Sequence, residues 1–228
     1  MSLVPERRND RIVSVDDTPA RLKELGLTVE IIHKSISVGN SKRQAVSQRA
    51  YPATYRGVAM WAESLAELRR LLLRLRTGWD IGETDNFATI YSEELGIAIA
   101  VAAGDGAVGR HTSYDPRLAR KKGKKTTERV ERNAGQLYVQ GELFDLPGGE
   151  NEELAPDEAC HTWFLLTHPT KNEIRLELSC PWSMDADGIV NGFRERILLP
   201  PVAASGAVAV IDPDDGDDDS GLENLVTR

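Results

Sequence analysis

Apolar residues recur at helical spacing from Val58 to Arg76, where Met60, Ser64, Leu68, Leu71, Leu72 and Leu75 form one stripe. The spacing predicts a long amphipathic helix. Arg69, Arg70, Arg74 and Arg76 crowd its last turns, where positive charge suits the helix dipole, and Thr77-Gly78 ends it. Upstream, Thr18-Pro19 predicts a helix start, with Thr18 as N-cap and Pro19 in the first helical position; Gly26 predicts its stop. Thr28 then caps a second helix with Val29, Ile32, His33 and Ile36 on one stripe. The Gly26-Leu27-Thr28 link has helix-turn-helix spacing. The second helix, TVEIIHKSI, carries one Lys and one Glu, thin for base reading, so packing is its expected use. Residues 42–57 then form a basic loop with two tyrosines, Tyr51 and Tyr55.

The period changes to two after Gly78. Residues 86–92 alternate, Glu93-Glu94-Leu95-Gly96 turns, and 97–103 reads as a buried strand. Ile97, Ile99 and Val101 share one side. Ala98, Ala100 and Ala102 leave the other side small enough for close packing of a helix, with 58–76 the expected partner. Residues 161–167 and 174–180 predict a hairpin around a six-residue turn, with His161, Trp163, Leu165 and Thr167 opposite Cys180, Leu178, Leu176 and Ile174. A third strand, 193–199, follows the MDADG turn and ends at Pro200-Pro201. Segregated helices and strands predict an α+β fold: N-terminal helices with antiparallel hairpins or a meander.

Charge divides this plan further. The formal net charge is −8, but residues 1–132 are at +6, 133–211 at −8 and 212–228 at −6. The last block, Asp212 to Gly221, repels itself and buries nothing, which predicts a disordered acidic tail. Four regions result. Residues 1–109 are helical plus a β-hairpin and net basic. Residues 110–158 are a flexible basic run, a docking peptide and an acidic linker. Residues 159–203 form an antiparallel three-strand region packing with the first, and 204–228 the tail. No apolar run reaches membrane-spanning length, and the N-terminus has no apolar signal core, so a cytoplasmic chain without a membrane partner is expected, its two cysteines reduced.

Several constellations suggest chemistry and fall short of it. Gly104 to Gly109 matches G-x-G-x-x-G after a strand, but the RHTSYDP after it cannot open the helix a dinucleotide needs. Cys160, His161, His168 and Cys180 supply zinc-type ligands, but adjacent strand residues point to opposite faces and cannot converge. Asp185, Asp187 and Glu195 could be a carboxylate cluster, yet MDADG is first of all a hairpin turn. No catalytic residue, metal or cofactor is therefore assigned.

Two stretches of the central region point to partners. Arg117, Arg120, Lys121, Lys122, Lys124 and Lys125 form a run that suits non-specific contact with a phosphate backbone. Beyond it lies Gln140-Gly141-Glu142-Leu143-Phe144. This peptide resembles the motif by which bacterial replication and repair proteins dock on the DNA polymerase sliding clamp: a Gln, two variable residues, then Leu-Phe. Gln140, Leu143 and Phe144 match, and Gly141 departs from the usual Leu or Ser. The Leu-Phe pair would enter an apolar pocket while the Gln amide bonds at its rim. The other reading of 137–146 is a strand whose Leu143 and Phe144 cover the core.

The leading expectation is a bacterial accessory protein of DNA replication or repair. It would dock on a sliding clamp through Gln140, Leu143 and Phe144 and contact DNA non-specifically. One alternative is a metal-dependent nuclease or other phosphate-directed enzyme. Another is an interaction or inhibitor protein with a DNA-mimicking acidic tail.

Overall fold

The computed structural model describes residues 11–112, 114–119, 123–135, 154–185 and 188–204. The fold is α+β: helices lead, and one mixed sheet carries the rest. In chain order the elements are β1 (Arg11–Val13), α1 (Thr18–Glu24), α2 (Val29–Ala45), α3 (Tyr55–Leu75), β2 (Trp79–Gly82), β3 (Thr89–Ser92) and β4 (Ile97–Ala103). They continue with α4 (Lys124–Gly135), α5 (Pro156–Ala159), β5 (His161–Pro169), β6 (Glu173–Met184) and β7 (Val190–Ala203). The seven strands lie in the order β1-β7-β6-β5-β4-β3-β2, antiparallel except for β1 with β7 and β4 with β5.

Local chemistry sets the helical layer. Thr28 caps α2, its hydroxyl accepting from the Ile31 N–H at 3.3 Å. Gly26, at φ +67°, closes α1: Leu27 N–H donates to Leu22 O and Gly26 N–H to Lys23 O, a Schellman pair that turns the chain into α2. Thr18 is not the cap of α1. Asp17 holds that position, and the Thr18 hydroxyl donates to the Leu198 carbonyl on β7. α2 runs to Ala45, so the expected basic loop is helical at both ends. It packs along α3 at Gly39, where a methyl group would collide with the Ser64 hydroxyl and the Met60 carbonyl.

One face of the sheet is apolar. Ile97, Ile99 and Val101 of β4, Trp163 and Leu165 of β5, Leu176 and Leu178 of β6, and Ile197 and Leu199 of β7 meet Ile32, Ile36, Met60, Leu68 and Leu72 of α2 and α3. Each fully buried Leu or Ile here contributes about 1.5–3 kcal/mol relative to exposure. The helical stripe of α3 thus covers the isoleucine side of β4. The alanine side is the opposite face, where Ala100 and Ala102 pack with Val108, Phe164, Leu166 and Val130 of α4. The expected pairing of 58–76 with the alanines is corrected accordingly: the bulkier side needs the larger apolar helix.

The hairpin keeps its predicted face but shifts register by two. Leu165 lies opposite Leu178 and Thr167 opposite Leu176, because the strands continue to Pro169 and from Glu173 and leave a shorter turn. At the far end Pro181 lacks the N–H that a ladder partner of Thr162 would donate. The Asn133 side chain from α4 takes its place. Its Nδ2 donates to Thr162 O at 2.8 Å and Pro181 O at 2.6 Å, and its Oδ1 accepts from Thr162 N–H at 2.8 Å.

The region expected to be irregular contains α4, whose buried face is Thr126, Arg129, Val130 and Asn133. Arg129 and Asp157, both almost fully buried, pair at 2.7 Å and clip α4 to α5. Arg129 also lies 4.7 Å from the Phe87 ring centre. The acidic tail, the predicted peptide at 140–144, and Arg120, Lys121 and Lys122 lie outside the described residues. Among the described residues, no helix is long and apolar enough to cross a membrane.

Candidate nucleic-acid interface

The polar face of the sheet anchors a loop, and the loop builds a groove. Glu177 on β6 and Arg196 on β7 are fully buried neighbours, joined by Arg196 Nη2 to Glu177 Oε2 at 2.8 Å and Nε to Oε1 at 3.2 Å. Glu177 also accepts from the Gly109 N–H at 2.9 Å and the Ser179 hydroxyl at 2.6 Å. Arg196 donates to the Arg110 carbonyl and to Asp115. Arg175 Nη1 donates to the Gly106 carbonyl at 2.8 Å. Three strand side chains therefore hold Gly106, Gly109, Arg110 and Asp115 against the sheet. The glycine-rich segment is this anchored turn. It opens no helix, and its Gly109 N–H is already occupied by a carboxylate.

Beyond that turn the chain runs back beside β4. Asp105 N–H donates to Arg117 O and Ala119 N–H to Ala103 O, both at 2.9 Å. Ala119 thereby becomes a wall of a groove at the carboxyl ends of the parallel pair β4 and β5. The opposite wall is the start of α3. Two adjoining hollows, of about 250 and 340 Å³, share Gly57, Trp61, Val101, Ala102 and Ala103. Val58 lines the first; Arg43, Arg56 and Met60 line the second.

The groove combines aromatic surface with unneutralised charge. The Trp61 side chain is 43% exposed, and Val58 equally so. Near the first turn of α3, Tyr51 stacks on Tyr55 with ring centres 4.6 Å apart and planes 10° from parallel. Arg56 Nε donates to the Arg43 main-chain carbonyl at 3.1 Å, and both arginines line the second hollow. Burial, and then the like charge of Arg56, lower the Arg43 pKa from its ordinary value. Among the described residues, Lys42, Arg43, Arg49 and Arg56 have no carboxylate partner. Elsewhere Arg21, Arg69, Arg70, Arg129, Arg132, Arg175 and Arg196 are paired, while Arg74, Arg76, Arg110, Arg117 and Arg194 are not paired with a carboxylate among the described residues.

Of the sequence-predicted basic residues, Arg117, Lys124 and Lys125 fall among the described ones. Arg117 is exposed and lines a separate hollow with Tyr114, Asp115 and Asp185. Lys124 pairs with Glu128 at 3.4 Å, and Lys125 with Asp85 at 2.7 Å, an ion pair that raises the Lys125 pKa. Trp61, Val58 and the Arg43–Arg56 pair were not singled out from the sequence, although the basic loop with its two tyrosines was.

The remaining chemical candidates are dispersed. Asp185 caps its own turn, its side chain accepting from Ile189 N–H at 2.9 Å. Glu195 lies in another cleft, gripped by Arg21 at 2.7 and 2.8 Å with Arg11 at 3.7 Å. His161 Nε2 accepts from Arg194 at 3.2 Å, and burial followed by the Arg194 charge lowers its pKa. His168 Nδ1 bonds the Gly104 carbonyl, and Cys160 and Cys180 are buried free thiols. Among the described residues, no three His, Cys, Asp or Glu side chains are grouped to hold a metal ion. Compared with protein families, curated proteins and solved structures, the chain matches none.

Proposed function

We propose that this chain is a DNA-transaction accessory protein that binds single-stranded nucleic acid, without sequence preference, in the groove between α3 and the end of β4. The observation that carries this reading is the placement of exposed Trp61 beside the paired Arg43 and Arg56. Bases stack on an aromatic face whatever their identity, and guanidinium groups track the phosphates. The stacked Tyr51–Tyr55 pair and the exposed Lys42 and Arg49 belong to the same 42–57 stretch as Arg43 and Arg56. Ala119, on the opposite wall, is the last described residue before Arg120, Lys121 and Lys122 in the sequence.

Clamp docking completes the proposal. Gln140, Leu143 and Phe144 fall between the end of α4 and the start of α5, in a connection tethered at both ends to the polar face. A clamp bound there would hold the groove close to DNA.

Fluorescence anisotropy with a labelled single strand tests the groove. Trp61→Ala removes a stacking contact worth about 1–3 kcal/mol and should weaken binding by roughly 5- to 160-fold. Arg43→Ala/Arg56→Ala should flatten the dependence of affinity on salt. Unaltered affinity in both variants would refute the groove. Pull-down with purified clamp tests the peptide separately: a folded Leu143→Ala/Phe144→Ala variant should lose capture, and retained capture would end that part of the proposal.

A further inference from the structure

The chain leaves the described fold at the rim of this groove. Ala204 is held by three contacts: its N–H donates to Asn172 O at 2.9 Å, and its carbonyl accepts from Asn40 Nδ2 at 3.0 Å and from Gln44 Nε2. Asn40 in turn accepts from Arg43 Nε at 3.1 Å. One hydrogen-bonded side chain therefore separates the exit point from the groove arginine.

The sequence after Ala204 matches the groove in composition and in order. Ser205-Gly206 leads into Ala207-Val208-Ala209-Val210-Ile211, and then come six Asp within Asp212–Asp219. The groove presents an apolar floor and wall in Val101, Ala102, Met60 and Trp61, bordered by Arg43 and Arg56, which have no carboxylate partner among the described residues. Seven extended residues reach roughly 25 Å. The α3 wall from Gly57 to Ser64 is only about 10 Å long. Residues 205–211 are long enough to cross it and deliver the aspartates to Arg43, Arg56 and their neighbours.

We infer that the groove's occupant, when nucleic acid is absent, is the chain's own C-terminal segment, with Val208, Val210 and Ile211 on the apolar floor and Asp212–Asp219 on the basic rim. This rests on the nucleic-acid reading for its consequence: the segment is a tethered competitor that nucleic acid must displace. The docking itself stands on the exit point and the complementarity. A competitor that occupies the groove nine-tenths of the time weakens apparent affinity about tenfold.

Full-length variants test it with two readouts. One variant replaces Asp214, Asp215, Asp217, Asp218 and Asp219 with Asn; a second carries Val208→Ser/Val210→Ser/Ile211→Ser. Hydrogen exchange over residues 56–64 should rise in both, and single-strand affinity should tighten by about tenfold. Protection in the parent chain should not depend on protein concentration. Unchanged exchange at 56–64 in both variants overturns the inference, even if affinity tightens, since general repulsion would then suffice. Protection that grows with concentration also overturns it, by assigning the contact to a second copy. If exchange rises but Trp61→Ala leaves nucleic-acid binding intact, the docking stands and the nucleic-acid reading falls. If exchange is unmoved while Trp61→Ala abolishes binding, the reverse holds.

Discussion

The two faces of the sheet are built from different physics. On one, Ile97, Ile99, Val101, Leu176, Leu178 and Ile197 meet the apolar stripes of α2 and α3. On the other, Arg175, Glu177, Ser179 and Arg196 from the same strands anchor a loop, and α4 is held through Arg129 and Asn133. Apolar burial is non-directional, so that face should tolerate changes of shape that keep volume. The polar face depends on groups whose partners must stay in place, so it should fail on small changes of chemistry. Its directional bonds also hold Gly106, Gly109, Arg110 and Asp115, in the turn that precedes the Ala119 wall of the groove.

The sharpest test exchanges one buried atom. Glu177→Gln keeps the shape but removes the buried counterion of Arg196, leaving only the part-exposed Asp115 at 3.4 Å, and should cost about 3 kcal/mol in denaturant unfolding. Glu177→Leu/Arg196→Met removes both charges and should recover most of that loss. The double variant should still lose amide protection at Gly109, because no carboxylate then accepts its N–H. A single variant as stable as the parent would break the contrast between the faces. Full protection at Gly109 in the double variant would break the anchoring argument.

Asn133→Leu comes next. It fills similar space but strands the Thr162 N–H, the Thr162 carbonyl and the Pro181 carbonyl, at a cost of about 2–3 kcal/mol. The third test moves to the apolar face, where Leu72 is fully buried. Leu72→Met conserves volume and should cost less than about 1.5 kcal/mol by chemical denaturation. A larger loss at Leu72 than at Asn133 would invert the comparison.

This division also explains what could be read from the chain. The α3 stripe, the alternation in β4 and the face of each hairpin residue are periodic apolar signals, and the apolar face was legible through them. α4 was not, because three of its four buried residues are Thr126, Arg129 and Asn133, and hydrophobic period is blind to a helix buried through polar groups. The pairing of β1 with β7 joins Val13 to Ile197, and three residues of strand carry no signal of a partner so distant. The groove was half visible. Arg43, Arg56, Tyr51 and Tyr55 lay in a stretch marked as basic and aromatic. Trp61 became meaningful only once the fold showed it outside the core. The Arg117–Lys125 run looked like one patch by sequence, but the structure pairs Lys124 and Lys125 with acids and leaves Arg117 on another hollow.

The smallest effect, and the most local, belongs to the two thiols. Cys180 belongs to the apolar core, and Cys160 packs with Tyr91 and Ala98 beside the polar face. Burial pushes Cys180 up to about 12 and Cys160 to about 11, from an ordinary value of 9.0. Both folded values are raised, so the sign follows directly. The stabilising contribution is whole below pH 9, and it declines as pH rises from 9 through about 11 for Cys160 and about 12 for Cys180, because the unfolded thiols ionise first. At pH 8 neither should react readily with a thiol reagent in the native protein. Cys160 leans on α5, a helix of four residues, through a 3.4 Å contact to the Pro156 carbonyl. A short element opens locally at little cost, whereas exposing Cys180 requires the core to come apart. Cys160 should therefore label first, at a rate nearly independent of low denaturant, and Cys180 at a rate that rises steeply with it. Equal rates with equal denaturant dependence would show that both faces open together, and the distinction between them would then be one of chemistry without a difference in local stability.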